Sequence, residues 1–254
     1  MKAAAIDLGT NAFRCLIRNI DSNYDTDIKI RYFVGLGKFL DKNNKLNLPA
    51  KYYSALDNIF NVISQNCVKK IHIVGTSVFR DSVNRNEILL DFKNRYKQEL
   101  NIIDPKTEAQ LTSLGVNTLF TNPDSDKIIV DIGGGSTEII FMSQQQIVYF
   151  YSLDLGVIKL YKEFKEINSF SIEKTKLIKD FVKKVIQVSN ISLNNIENYQ
   201  IVFNSGTSTT LAAISKNLKN YDSSIINRVS LSITETYEIL NILASKTAKQ
   251  RLLI

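Results

Sequence analysis

Two short segments, 124 residues apart, constrain this chain more than any other feature. Ala4-Ala5-Ile6-Asp7-Leu8-Gly9-Thr10-Asn11 and Ile128-Ile129-Val130-Asp131-Ile132-Gly133-Gly134-Gly135 share one pattern. Each reads as a buried strand, an aspartate, an apolar residue, glycine, then small or polar residues. Two more strand-like runs and then helical patterns follow each of them. Self-similarity of this kind points to a duplicated β-β-β-α-β-α unit rather than one sandwich. The 254 residues suffice for two such units. The expected lobes are residues 1–122 and 123–254, joined by a polar, turn-rich stretch from Thr121 to Asp126.

In the first lobe, strands are expected at Lys2–Asp7, Phe13–Ile20, Ile28–Val34 and Ile71–Val74. Helical patterns run from Pro49 to Cys67, over 84–99 with Asn84 as cap, and from Lys106 to Phe120, with a brief strand at Ile102-Ile103. In the second, strands are expected at Lys127–Asp131, Thr137–Met142, Gln146–Tyr151 and Ile201–Phe203. Helices are expected at 157–166, 171–188, Thr207–Leu218 and from Thr234 onward.

Composition excludes several classes of function. The net charge of +7 divides into +4 over residues 1–125 and +3 over the rest, with no basic tail. That argues against a tethered nucleic-acid arm, so no DNA or RNA partner is expected, while an anionic substrate stays open. Cys15 and Cys67 are far apart in apolar contexts and read as buried small hydrophobes, not a disulfide framework. With His72 as the sole histidine, inside a short strand, neither a zinc site nor a Ser-His-Asp triad is supported. No run reaches the length of a membrane span, and Asp7 breaks the N-terminal apolar run too early for a signal peptide. The expected location is the cytoplasm.

The paired turns suit phosphate chemistry. A glycine turn exposes successive backbone N–H groups with no Cβ in the way, and such a nest binds anionic oxygens. Gly9, Thr10 and Asn11 in one turn, and Gly133, Gly134, Gly135, Ser136 and Thr137 in the other, would bind phosphate. Asp7 and Asp131 end their strands beside these turns, where a carboxylate can hold a hydrated magnesium ion. Two facing hairpins would clamp a phosphate chain between lobes. Neither turn is a Walker loop, and strands rather than helices follow the glycines, so neither is a dinucleotide fingerprint.

The pair resembles the actin, sugar-kinase and heat-shock ATPase superfamily. Further segments narrow the resemblance to the exopolyphosphatase / guanosine pentaphosphate phosphohydrolase family. They are Gly75-Thr76-Ser77-Val78-Phe79-Arg80-Asp81-Ser82-Val83-Asn84, then Ile102-Ile103-Asp104-Pro105-Lys106-Thr107-Glu108-Ala109-Gln110-Leu111 with Gly115. Asp131 to Glu138, Ser152-Leu153-Asp154-Leu155-Gly156 and Asn204-Ser205-Gly206-Thr207-Ser208-Thr209-Thr210-Leu211-Ala212 complete the set. The resemblance covers essentially the whole chain, in order.

It implies an α/β fold of two ribonuclease-H-like lobes with a cleft between them. It also implies hydrolysis of a terminal phosphoanhydride of inorganic polyphosphate, of guanosine pentaphosphate, or of both, with a magnesium ion. Glu108 would activate water, Arg80 would grip phosphate, and Asp131 and Glu138, with Asp7, would lie at the metal and the water. In nucleotide-binding relatives the Gly206-Thr207 turn contacts adenosine; here it would touch guanosine or only shape the lobe.

Bottom-up, a carboxylate in the first turn of a helix can orient and deprotonate a water, and a planar guanidinium suits phosphate oxygens. The same residues also fit blander roles, Glu108 as a favourable first-turn acid and Arg80 as a surface ion-pair residue. Arg14, on the second strand, reaches either phosphate or solvent.

The sequence departs from the family at two places. Where relatives carry Ser-Gly and a double acid, it has Asp104-Pro105 and Thr107-Glu108, and proline fixes φ and removes a donor. The second lobe reads as short by a strand and a helix, which would leave an exposed sheet edge and room for a homodimer. These departures keep two alternatives open: a non-catalytic module sensing polyphosphate or a guanosine nucleotide, and a sugar- or acetate-kinase-like enzyme.

Overall fold

The structure is a computed structural model that describes residues 1–21, 27–120, 122, 124–164, 172–192 and 196–251. Contacts divide the chain into two units. Unit 1 holds Met1–Glu108 with Gly133–Ser136 and Gly156–Lys162; unit 2 holds Ala109–Ile132, Thr137–Leu155 and Glu163–Ile254. The division therefore falls after Glu108, inside a helix, and not at residue 122. The second glycine turn belongs with the first.

Unit 1 begins with the strands β1 (Lys2–Leu8), β2 (Ala12–Asn19) and β3 (Ile28–Phe33). Helix α1 (Ala50–Gln65), β4 (Lys70–Gly75), α2 (Ser77–Arg80), α3 (Arg85–Tyr96), β5 (Asn101–Ile102) and the start of α4 (Pro105–Asn117) follow. The sheet order is β3-β2-β1-β4-β5, with β1 antiparallel to β2 and parallel to β4. β1 alternates Ala4, Ile6 and Leu8 inward, against Phe13, Cys15 and Ile17 of β2 and Tyr52, Leu56 and Ile59 of α1. Those α1 positions recur at helical spacing, and that apolar stripe seats the helix on the sheet.

Unit 2 repeats the plan. It holds β6 (Lys127–Ile132), β7 (Thr137–Ser143) and β8 (Gln146–Leu153), then α6 (Ile172–Val188) and β9 (Gln200–Phe203), while α5 (Val157–Glu163), which lies between β8 and α6 in the chain, falls in unit 1 up to Lys162. Helices α7 (Gly206–Ser215), α8 (Ser223–Ile226), α9 (Ile233–Ala244) and α10 (Ala248–Arg251) close the chain. The order β8-β7-β6-β9 matches that of the first sheet without a counterpart of β5 among the described residues. Ala109 and Val116 of α4 pack with Ile129, Ile140 and Met142 in its core.

Some local expectations are corrected. Asn84 does not cap α3 with its side chain. It clamps the chain at Leu46 instead: Leu46 N donates to Oδ1 at 2.9 Å, and Nδ2 donates to Leu46 O at 3.1 Å. Cys67 is exposed and takes a left-handed φ of 51° just past α1, a helix-ending role rather than a buried one. Cys15 is buried as expected. Helix α2 and the tight turn Leu36–Phe39 were not legible in the hydrophobic pattern, being too short to show a period. Parts of the expected linker and helices, at 121, 123, 165–166, 171 and 252–254, lie outside the described residues. Among the described residues no helix is long and apolar enough to cross a membrane.

Candidate active site

Both glycine turns are built alike. In the first, Gly9 N donates to Ala12 O at 3.1 Å, closing the β1–β2 hairpin. Gly35 N then donates to Asn11 O at 2.8 Å and Gly37 N to Thr10 O at 2.9 Å. Gly35 sits at φ 65°, a left-handed conformation that glycine adopts without cost. In the second, Gly133 N donates to Ser136 O at 2.9 Å. Val157 N and Ile158 N, from the start of α5, donate to Gly133 O and Gly134 O at 3.0 and 2.9 Å.

In each turn a neighbouring segment thus takes the carbonyls. A trans peptide points its C=O and the following N–H in opposite directions. Holding those carbonyls therefore turns the Asn11, Gly134 and Gly135 amides the other way, and among the described residues none of the three donates to a protein acceptor. Successive backbone amides without protein acceptors are what an anion-binding nest requires.

The two turns meet inside unit 1. A Cβ on Gly134 would lie 2.9 Å from Thr10 Cβ and 3.0 Å from Asn11 N. One on Gly135 would strike Ser77 Oγ and come within 3.1 Å of Thr10 Oγ1. Thr10 Oγ1 accepts from Val78 N at 3.2 Å, which ties the start of α2 to the first turn. Gly9, Thr10, Asn11, Gly133, Gly134, Gly135 and Ser136 are thereby brought together. Thr137 is not placed as a hydroxyl ligand: its Oγ1 donates to Leu155 O at 2.5 Å.

Arg80 ends α2, and Glu108 stands in the first turn of α4. The Asp104-Pro105 departure does not disrupt that turn. Asp104 Oδ1 accepts from Thr107 N at 2.7 Å and Asp104 O from Glu108 N at 3.0 Å, so Asp104 caps the helix. Pro105 occupies the first helical position, where no intrahelical acceptor awaits an N–H. The Thr107 amide, with the positive charge of Arg80 adding to it, holds the Asp104 carboxyl below its ordinary range. Arg80 Nη1 donates to Glu108 Oε2 at 2.6 Å and to Ile103 O at 2.9 Å, with the two side chains 17% and 19% exposed.

Three neighbours of this site were missed by sequence reasoning. Ser77 Oγ donates to Asp81 Oδ2 at 3.2 Å, and Lys159 Nζ reaches the same oxygen at 3.3 Å. Only Ser77 and Asp81 lay within a quoted motif. Arg14 is paired rather than free: its Nη1 donates to Asp7 Oδ2 at 2.9 Å. The hairpin register, which sets Asp7 opposite Arg14, was the available signal. Desolvation pushes the Asp7 carboxyl up despite the opposing Arg14 charge.

In unit 2, Asp131 and Glu138 are direct cross-strand partners. Glu138 is buried and accepts from Ser152 Oγ at 3.0 Å. Asp131 Oδ2 accepts from Asn204 Nδ2 at 3.2 Å and Thr112 Oγ1 at 3.4 Å. Among the described residues no group of three or more His, Cys, Asp or Glu forms a ready-made cage. A pair of carboxylates suits a hydrated magnesium ion, which keeps several waters and takes substrate oxygens. At the Gly206-Thr207 turn, Ser205 caps α7 by accepting from Ser208 N at 3.1 Å. His72 is exposed on β4.

Known proteins resemble this chain along its length. A family model described as the Ppx/GppA phosphatase family matches residues 28–252. The bifunctional 3-dehydroquinate synthase/phosphatase of Fusobacterium nucleatum is 27% identical over 98% of this chain, which spans 39% of that relative. Exopolyphosphatase 2 of Mycobacterium tuberculosis is 25% identical, over 98% of this chain and 82% of its own. The guanosine-5'-triphosphate,3'-diphosphate pyrophosphatase of Vibrio cholerae is 31% identical over 64% of this chain and 33% of its own. The crystal structure of the Aquifex aeolicus Ppx/GppA family member superposes with a TM-score of 0.78 at 23% identity, over 99% of this chain and 81% of that one.

Proposed function

The chain belongs to the Ppx/GppA phosphatase family, and on that premise we propose that it hydrolyses a terminal phosphoanhydride, releasing orthophosphate from inorganic polyphosphate, from guanosine pentaphosphate, or from both. The observation that carries the reading is the pair of turns whose Asn11, Gly134 and Gly135 amides are left without protein acceptors. They form one anion-binding nest in unit 1, the unit that also holds Arg80 and Glu108. The names of the relatives supply the substrate class.

In the proposed step the terminal phosphoryl oxygens lie on the nest and on Arg80. Glu108 accepts a proton from a water as its oxygen attacks the terminal phosphorus. The bond to the bridging oxygen breaks, orthophosphate forms, and the shortened chain leaves carrying the bond's electrons on that oxygen. Little covalent chemistry is asked of the protein, so positioning and charge stabilisation dominate. A magnesium ion would neutralise phosphate charge; Asp131 and Glu138 in unit 2 are one candidate pair of ligands for it, and Asp7 in unit 1 is a separate candidate. Arg14 already compensates Asp7, which favours Asp131 and Glu138 as the main ligands.

The deciding experiment measures orthophosphate release from long polyphosphate and from guanosine pentaphosphate side by side, with magnesium. Release from either supports the reading. A folded protein that binds either substrate tightly and releases nothing would make it a sensing module instead.

A further inference from the structure

One face of the unit 1 sheet is covered by α1 and α3 and the other is open. The residues of β1 and β4 that alternate with the core positions include Ala5 and His72, and both are exposed. β2 and β3 turn Arg14, Leu16, Arg18, Lys29, Arg31 and Phe33 to the same open face, four cations and no acid. Lysine and arginine on an edge strand deter pairing with another chain, which accounts for Lys29 and Arg31 on β3. That purpose needs no cation facing them from β2, yet the register sets Arg14 directly opposite Arg31. Like charges in such a pair destabilise a sheet, and choices that break a local rule concentrate at functional surfaces.

The cations also lie in line with the nest. Asp7 shares a row across the sheet with Arg14 and Arg31, and the first glycine turn opens at Gly9, two residues on. Lys29 stands one row back, opposite Leu16 and about 7 Å along the strand. Behind Asp7, β1 shows only Ala3 and Ala5 on this face, between the long side chains of β2 and those of β4. A shallow trough with a floor of methyl groups therefore leads away from the nest.

We propose that this open face binds the distal part of an inorganic polyphosphate chain whose terminal phosphoryl group lies on the nest, and that Arg31 and Lys29 set a preference for long chains. The inference rests on the hydrolase reading above and chooses between its two substrates. Polyphosphate carries charge along its whole length and has no ring or base to recognise, so spaced cations beside a smooth floor suit it. Guanosine pentaphosphate has no such tail, and the outer row adds nothing to its binding. Single-stranded RNA is also a polyanion, but it is held by stacking successive bases on aromatic rings. On β2 and β3 the outward positions offer one ring, Phe33, with the Arg31 guanidinium 5.8 Å over it.

The test compares wild type with Arg31→Gln, Lys29→Gln and the pair on long polyphosphate, tripolyphosphate and guanosine pentaphosphate, read as kcat and KM. Thermal midpoints confirm folded protein. The pair should raise KM for long polyphosphate by about tenfold, the yield of two exposed contacts of ordinary strength, with kcat within about twofold. KM for the two short substrates should stay within about twofold, since neither reaches the outer row. Calorimetry with long polyphosphate should show the same loss, and the slope of log affinity against log salt should fall by about one for each cation removed. Lys51→Gln with Lys93→Gln, exposed on α1 and α3 over the covered face, removes the same charge and should leave long-chain binding within about twofold. Equal losses on long and short substrates, a control pair as weak as the test pair, or displacement of polyphosphate by single-stranded RNA of equal charge would overturn the inference. A wild type that releases no orthophosphate would count against the hydrolase reading instead. Calorimetry would then still decide the matter: long-chain binding weakened in the Arg31 and Lys29 pair alone supports the inference, and binding unchanged in that pair overturns it.

Discussion

Gly135 and Ser77 are in such close contact that no side chain fits between them. A methyl group on Gly135 would strike Ser77 Oγ and lie 3.1 Å from Ser77 Cβ. Ser77 cannot move aside easily, since α2 carries it and Asp81 accepts its hydroxyl. Gly135→Ala should therefore cost about 1–3 kcal/mol of stability, as overpacking does. It should weaken phosphate binding by about tenfold or more, because it spreads the two turns, and each tenfold is only ~1.4 kcal/mol. Adding Ser77→Gly, which makes room for the methyl, should restore much of both. Denaturant midpoints and phosphate calorimetry check this; a single variant that binds as the wild type does would show the turns are not held against α2.

Gly156 and Gly115 separate crowding from helix propensity. A Cβ on Gly156 would fall on the backbone of the second turn, within 2.6 Å of Gly135 N, and backbone cannot yield as a side chain can. Gly156→Ala should lose about 3 kcal/mol or more. Gly115 lies inside α4 with nothing within 4 Å of its Cβ position. There alanine should gain up to about 1 kcal/mol, the helix-interior penalty of glycine removed. Urea midpoints of the two variants should move in opposite directions.

The Asp104 cap gives stability a pH dependence of known sign. Its folded pKa lies below the ordinary carboxylate value, chiefly through the Thr107 amide. A depressed carboxylate contributes stability above its unfolded pKa and loses it as pH falls through the folded value. Asp104→Ala should be less stable than the wild type at neutral pH, and the gap should close in acid, below the ordinary carboxylate range. Asp104→Asn keeps an oxygen acceptor and should fall between the two. Thermal midpoints across pH measure this; a gap that is constant with pH would rule out the charged cap.

The duplicated strands were legible because a short apolar run, Ala3–Ile6 in one and Ile128–Val130 in the other, leads each time into an aspartate, an apolar residue and a glycine. The glycine turns were legible because glycine has a distinct backbone repertoire. What sequence could not show was which groups hold those turns. Gly35, Gly37, Val157 and Ile158 approach from segments remote in the chain, and backbone donors carry no side-chain signature. Ser77's contact with Gly135 is equally non-local. Pro105 was misleading for a different reason: its lost N–H matters inside a helix and not at the first position, and only the bounds of α4 tell the two apart. Arg80 and Glu108 came from resemblance, and their pairing came from the fold.

The central claim is that Glu108 drives water onto the terminal phosphorus. The measurement that meets it most directly is orthophosphate release in ¹⁸O-labelled water, with wild type and Glu108→Gln compared on long polyphosphate and on guanosine pentaphosphate. The account predicts that wild-type orthophosphate carries a single labelled oxygen, and that Glu108→Gln releases it about 100-fold or more slowly while still binding substrate. Label appearing in the shortened chain, or release by Glu108→Gln at the wild-type rate, would contradict it.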